Sequence, residues 1–266
     1  MSLFVERNGP VTTIVRDRRE VRNAMDPQSA VALTQALLDF DADPSQSVAV
    51  LHGAGGTFCA GFDLKFAASL GDRKNPLGDL DFPEGDGPVP RGPMGPTRLQ
   101  LSKPVIAAIA GPAVAGGMEL ALWCDLRVME ETAFMGVYCR RWGVPLVDGG
   151  TVRLPRIVGR GRALDIVMTG RKVPAEECFR IGLCERLVKP GQAREAAEEL
   201  AREIARFPQE CMRADRRSCY LQEGLSEHDA LRAEWKNSIA MVEASGTEGA
   251  RRFAEGKGRG GDFSNI

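Results

Sequence analysis

Histidine is nearly missing from this 266-residue chain, which has only His52 and His228. A Ser-His-Asp triad or an HExxH zinc helix therefore has little to work with, and no GxSxG or GxxxxGK string occurs. Net charge is nearly missing too, at −1. No global field draws the chain to nucleic acid or to an anionic membrane, so neither is expected as a partner. The seven cysteines are odd in number and contain no CxxC pair. That argues against a disulfide framework or a zinc ribbon and suits a reducing, cytoplasmic compartment. The opening MSLFVERNGP has no basic leader and no apolar run, so no secretion signal is expected in it. A GxGxxG string at Gly256, Gly258 and Gly261 lies in a polar stretch with no helix after it and is read as chance.

What the chain does have is ordinary globular material, 43% hydrophobic and 27% charged. Its most apolar run, PVIAAIAGPAVAGGMELALWC from Pro104 to Cys124, is long enough to cross a bilayer. Gly111-Pro112 and Gly116-Gly117 interrupt it, so it reads as a buried strand, a turn and a buried helix in a soluble core. The rest alternates strand and helix. FVERNGPVTTIVRD predicts a hairpin turning at Asn8-Gly9-Pro10, and SVAVLHG a buried strand ending at His52, a core or loop histidine. In PQSAVALTQALLDFDAD, the residues Val31, Leu33, Ala36, Leu37 and Phe40 have helical spacing. Asp63 is placed to cap a short helix after GGTFCAGFD. DLRVMEETAFMGV reads as two further strands.

Residues 71–96 are dense in Gly, Pro and Asp, a composition read as a mobile surface loop or lid unable to build core. Beyond residue 190 the pattern turns helical. Ala193, Ala196, Ala197, Leu200, Ala201 and Ile204 share one face. Two more helices follow in ECMRADRRSCYLQ and SEHDALRAEWKNSIAMVEA. The chain is thus divided into an α/β body over 1–190 and a helical region over 191–266 that covers the core or builds an oligomer.

Two strand–turn–helix junctions carry the chemistry, GGTFCAGFD and GPAVAGGMEL. Small residues there let a ligand approach backbone N–H groups, and a helix start leaves such groups unpaired. Two donors converging on one oxygen make an oxyanion hole, whereas tight packing of a turn against a helix would need the same small residues. Glu119 stands alone in the second junction, a carboxylate among apolar neighbours. Burial raises the pKa of such a group and a helix N-terminus lowers it.

Taken together, the motifs resemble the crotonase (enoyl-CoA hydratase/isomerase) superfamily along nearly the whole chain. EVRNAMDP resembles its first CoA-facing loop, FCAGFDLK its AGxD element and AVAGGMELALWCD its GGG-x-E-L-A-x-x-C-D element. RRWGVPLVDGGTVRLPRIVG and ALDIVMTGRKVPAEECFRIGLCERLV resemble the stretches downstream. The resemblance implies an α/β spiral of ββα units with a C-terminal helical trimerisation region. It further implies an acyl-CoA thioester substrate, a homo-oligomer (trimer or hexamer) and no cofactor apart from the coenzyme A of the substrate.

By motif position, the oxyanion donors would be the amides of Ala60 and Gly116. Arg22, Ala24, Asp63, Leu64, Gly117 and Cys139 would line the substrate site. Glu119 matches one of the two glutamates with which hydratases of this family move protons. The slot of the second holds Cys139, a poor proton shuttle near neutral pH. Asp148 stands where the family's dienoyl-CoA isomerases carry a catalytic aspartate, and it is equally placed to cap the helix after it. Enoyl-CoA hydration is the expected activity, with enoyl- or dienoyl-CoA isomerisation and non-catalytic acyl-CoA binding as alternatives.

Overall fold

The turn at Gly9, with φ +56°, joins β1 (Leu3–Asn8) to β2 (Val11–Arg16) as an antiparallel hairpin. The computed structural model describes residues 3–71 and 77–261. β1 is mostly exposed and forms the sheet edge, whereas every residue of β2 is buried. Burying Thr12, Thr13 and Arg16 requires partners for their polar groups. Thr12 donates to Gln46 Oε1 at 2.7 Å, Thr13 to Glu198 Oε1 at 2.8 Å, and Arg16 to the Phe58 carbonyl at 3.3 Å and to the Asn23 carbonyl.

Pro27 at the first helical position and Asp26, which accepts from the Ser29 amide at 2.8 Å, start α1 (Pro27–Ala42). Its face of Ala30, Leu33, Leu37 and Phe40 is buried and Val31 is exposed. Each fully buried large side chain contributes about 1.5–3 kcal/mol. β3 (Val48–Gly53) pairs parallel with β2. The turn after β3 leads to α2 (Leu64–Ser69), which Asp63 caps by accepting from the amides of Lys65 at 3.0 Å and Phe66 at 3.3 Å. His52 on β3 directs Nδ1 to the Ala108 carbonyl at 3.2 Å, and burial holds its pKa below the usual value.

The apolar run at 104–124 divides into β4 (Val105–Ile109), β5 (Pro112–Val114) and α3 (Gly116–Trp123). Among the described residues no helix is long and apolar enough to cross a membrane. β6 (Leu126–Glu130) and β7 (Phe134–Gly136) are followed by a 3-10 turn over Tyr138–Trp142. Then come α4 (Gly150–Val158), α5 (Arg160–Thr169), β8 (Val173–Pro174), α6 (Ala175–Arg180) and β9 (Arg186–Val188). The strands form a six-stranded sheet, β1-β2-β3-β4-β6-β9, and a three-stranded one, β5-β7-β8. From β2 to β9 the large sheet is parallel, and its strands β2, β3 and β4 are buried almost throughout.

The segment read as a surface loop differs from that expectation at its end. Residues 72–76 lie outside the described residues, and 81–86 are exposed. Gly92 to Thr97 are buried instead. Gly92 and Gly95 exchange both backbone hydrogen bonds at 2.9 Å, closing a tight turn that buries Met94 to 1% exposure. Composition here was read as a surface loop unable to build core, but its last turn is part of the core.

α7 (Ala193–Ala205) buries Ala193, Ala197 and Ala201. The compact first unit therefore runs to Ala201, beyond the boundary expected at 190, and the second spans Arg202–Ile266. The second unit contains α8 (Gln209–Leu221), α9 (Glu227–Met241), a π-helical turn over Val242–Gly246 and α10 (Thr247–Ala254). Asn237 on α9 donates to the Ala214 carbonyl of α8 at 2.6 Å. The glycines 256, 258 and 261 lie in turns and a 3-10 segment after α10.

Candidate active site

Two turns abut at the start of α3. Ala115 adopts φ +55°, ψ −129°, a region disfavoured for any residue with a Cβ, and bends β5 sharply into the helix. Opposite it, Gly61 has φ +96°. A methyl group on Gly61 would lie 2.9 Å from Ala115 Cβ and 3.1 Å from the Gly116 nitrogen. Gly117 is as constrained, since a Cβ there would stand 2.1 Å from the Cys59 carbonyl oxygen. The glycines thus let the two segments approach each other at backbone distance.

Pairing with the Arg22–Met25 loop decides which amides remain available. The Ala60 amide donates to the Arg22 carbonyl at 3.1 Å, so it is committed and does not serve as the expected oxyanion donor. Met25 donates to Gly61 at 2.8 Å and accepts from Asp63 at 2.8 Å. This parallel bridge turns the intervening Phe62 N–H to the opposite side. Among the described residues neither the Phe62 nor the Gly116 amide has an acceptor. Reading along the motif alone missed Phe62; the register with Met25 identifies it.

The loops before α1 and α2 are tied together by part-buried polar contacts. Arg22 and Asn23 both have φ +54°. The Asn23 side chain donates to Ala54 and Thr57 carbonyls at 2.8 and 2.7 Å and accepts from the Arg18 amide at 2.8 Å. Arg18 also donates to the Ala24 carbonyl at 2.7 Å and reaches Asp26 at 2.9 Å and Asp63 at 3.4 Å. Arg22 is exposed, Ala24 buried, and Leu64 is an exposed residue at the start of α2.

Glu119 lies in the first turn of α3, 3% exposed. Its Oε1 accepts from the amides of Asp148 at 2.9 Å and Gly150 at 2.8 Å. Among the described residues Oε2 has no hydrogen-bond partner. Burial, reinforced by the nearby Asp148 charge, outweighs those two amides and Arg153 and pushes the carboxyl up to about 7. The opposing influences named from sequence are thus resolved in favour of burial.

Asp148 is also buried, but its side chain does not cap α4, whose N-cap is Gly149. Its Oδ1 accepts from the Met94 amide at 3.0 Å and from the Thr97 hydroxyl. Burial pushes this carboxyl up against those donors and against Arg98 and Arg153. Gly92 leaves room for the contact, since a Cβ there would be 2.4 Å from Asp148 Oδ1. Met94 in turn packs on the Ala115–Gly116 turn, where a Cβ on Gly116 would meet its Sδ at 2.5 Å. Cys139 is buried in the 3-10 turn, and burial with the Glu119 charge pushes its thiol up. The structure therefore groups Glu119, Asp148, Cys139, Gly116 and Gly117. It adds Phe62, Met94, Thr97 and Arg153, of which Phe62 and Arg153 lie in the FCAGFDLK and GGTVRL stretches and Met94 and Thr97 had no sequence signal.

Known proteins resemble this chain along most of its length. Residues 6–259 match the family described as enoyl-CoA hydratase/isomerase. The chain belongs to the enoyl-CoA hydratase/isomerase family. Enoyl-CoA hydratase EchA19 of Mycobacterium tuberculosis is 35% identical over 260 residues, 95% of this chain and 93% of that protein. A carnitinyl-CoA dehydratase of Salmonella arizonae is 40% identical over 205 residues, covering 76% of this chain and 74% of its own. A crystal structure of an enoyl-CoA hydratase from Mycobacterium tuberculosis superposes with a TM-score of 0.85 at 32% identity, covering 96% of both chains. As an enoyl-CoA hydratase/isomerase family member, the protein has the crotonase fold.

Proposed function

We propose that this protein hydrates a 2-enoyl-CoA thioester, with Glu119 as its proton-transfer group. The observation that carries the reading is Glu119 itself, a buried carboxyl with one oxygen anchored, the other unpartnered, and a pKa of about 7. A group that titrates near the working pH can both take and return a proton. The thioester oxygen would accept from Phe62 and Gly116. Ionised Glu119 would take a proton from water as the water oxygen bonds to C3 of the acyl group. The electron pair of the double bond moves through C2 onto the thioester oxygen, giving an enolate held by the two amides. Glu119 then returns the proton to C2 and the carbonyl re-forms, so one water is added in full. The enolate charge grows along the path, so the amides bind the transition state better than the substrate.

Isomerisation is the second reading, favoured by the thiol of Cys139 in the place of a second carboxylate. Moving a proton between two carbons of an enoyl-CoA needs one base and the oxyanion donors, with no water. Incubation of 2-enoyl- and 3-enoyl-CoA thioesters in deuterated water separates the two. A 3-hydroxyacyl-CoA carrying deuterium at C2 supports hydration, whereas interconversion of the enoyl isomers alone would overturn it in favour of isomerisation. We further propose a homo-oligomer built on trimers, supported by the exposed Tyr220, Leu231 and Trp235 of the second unit. A monomeric mass by light scattering would contradict it.

A further inference from the structure

Residues 148–150 hold Glu119 through a small backbone nest. The amides of Asp148 and Gly150 converge on Oε1, and Gly149 between them has φ +93°. The Asp148 carbonyl, lying between those two amides in the chain, turns the other way. It accepts from Arg153 Nη1 at 2.9 Å, and the same guanidinium donates through Nη2 to the Thr97 carbonyl at 2.7 Å. Gly149 leaves space for this fork, since a Cβ there would lie 2.1 Å from Arg153 Nη1. One guanidinium therefore ties together the nest and the turn that receives the Asp148 side chain.

We propose that Arg153 is a positioning residue that sets the acidity of Glu119 by holding the 148–150 nest in its donating conformation. Arg153 faces the nest from α4, where it donates to backbone carbonyls on either side of it. Without it, a part-buried carbonyl at Asp148 loses its donor, and the peptides on either side gain freedom to rotate. Both amides on Oε1 then weaken, and the ionised form of Glu119 loses the contacts that favour it. The charged and titratable groups facing Glu119 are Asp148 from the loop before α4, Cys139 from the 3-10 turn, and Arg153 itself. Arg98 faces Asp148 from the 92–98 segment. Asp148 opposes ionisation of Glu119 and Arg153 assists it, so removing Arg153 shifts the balance in one direction only.

The inference rests on Glu119 being the proton-transfer group, and its test does not depend on turnover. The Glu119 side-chain carboxyl, labelled with carbon-13 and assigned by its loss in Glu119→Gln, is titrated by NMR in the free protein. Arg153→Gln is expected to raise its midpoint by about one pH unit, and Arg153→Lys, which keeps the charge and one contact, by less. A midpoint equal to wild type in a folded Arg153→Gln protein would overturn the proposal, even if its melting temperature fell. Should Arg153→Gln fail to fold, an unchanged midpoint in Arg153→Lys overturns it as well. Absence of wild-type turnover on crotonyl-CoA would instead count against the hydratase reading and leave the titration result standing.

Discussion

The Asp148 amide donates to Glu119 at 2.9 Å while the Asp148 side chain turns away to Met94 and Thr97. The two carboxyls are thus linked through backbone and oppose each other through charge. Both are raised by burial, and Glu119 is raised further by its neighbour.

The first consequence concerns stability. Glu119 rises from 4.5 to about 7 on folding, so the unfolded chain gives up this proton at lower pH than the folded one. Below pH 4.5 both states are protonated and the group contributes nothing. Above about pH 7 both are ionised and the fold carries a penalty of about 3 kcal/mol. Stability therefore falls as pH rises through this window. Glu119→Gln is expected to melt at a higher temperature than wild type at pH 8 and at nearly the same temperature at pH 4.5. Thermal melts at the two pH values check this, and an equal gain at both would contradict it.

Asp148→Asn keeps an acceptor for Met94 and Thr97 but removes the charge that opposes ionisation of Glu119. The midpoint of the kcat/KM profile on crotonyl-CoA should therefore move below about 7, with more activity retained at acid pH. If Asp148 itself had to accept or give a proton, turnover would instead fall by about 10²–10⁴ at every pH.

Gly61→Ala tests the oxyanion turn. Its Cβ would press on Ala115 and the Gly116 nitrogen, and its φ of +96° suits only glycine. Misplacing one donor is expected to lower kcat by about 10²–10³. Helical circular dichroism should be unchanged, and wild-type kcat in this variant would place the oxyanion donors elsewhere.

Cys139→Glu returns a carboxylate to the slot that the family's hydratases fill with one. With water admitted to the pocket, the ratio of hydration to isomerisation should rise, at a cost in melting temperature because the site is buried. Product analysis by mass spectrometry checks the ratio, and a fall would show that the thiol takes part in the wild-type reaction.

Local signals in the sequence were enough for the hairpin, the Asp63 cap, Leu33, Leu37 and Phe40 of the α1 face, and the break of the apolar run into β4 and α3. The Asp26 cap, β5 and the exposure of Val31 were not read from the sequence. Glu119 stood out because a lone charge in an apolar segment demands an explanation. What was not legible depends on distant pairing. Ala60 loses its amide to Arg22 and Phe62 keeps its own free because of a bridge to Met25, a register no local motif specifies. Met94 and Thr97 sit in a stretch whose composition resembles a loop, and only their contacts with Gly116 and Asp148 make them core. Ala193, Ala197 and Ala201 gave a helical face, but nothing local said what it would cover.

The most direct test of the central claim is the turnover of crotonyl-CoA by wild type and by Glu119→Gln at pH 7. The amide keeps the shape of the side chain and the acceptor for the Asp148 and Gly150 amides but cannot take a proton. The account predicts that kcat falls by about 10²–10⁴ while thioester affinity stays within a few-fold, because the oxyanion donors are backbone groups. A kcat in Glu119→Gln equal to that of wild type would contradict it.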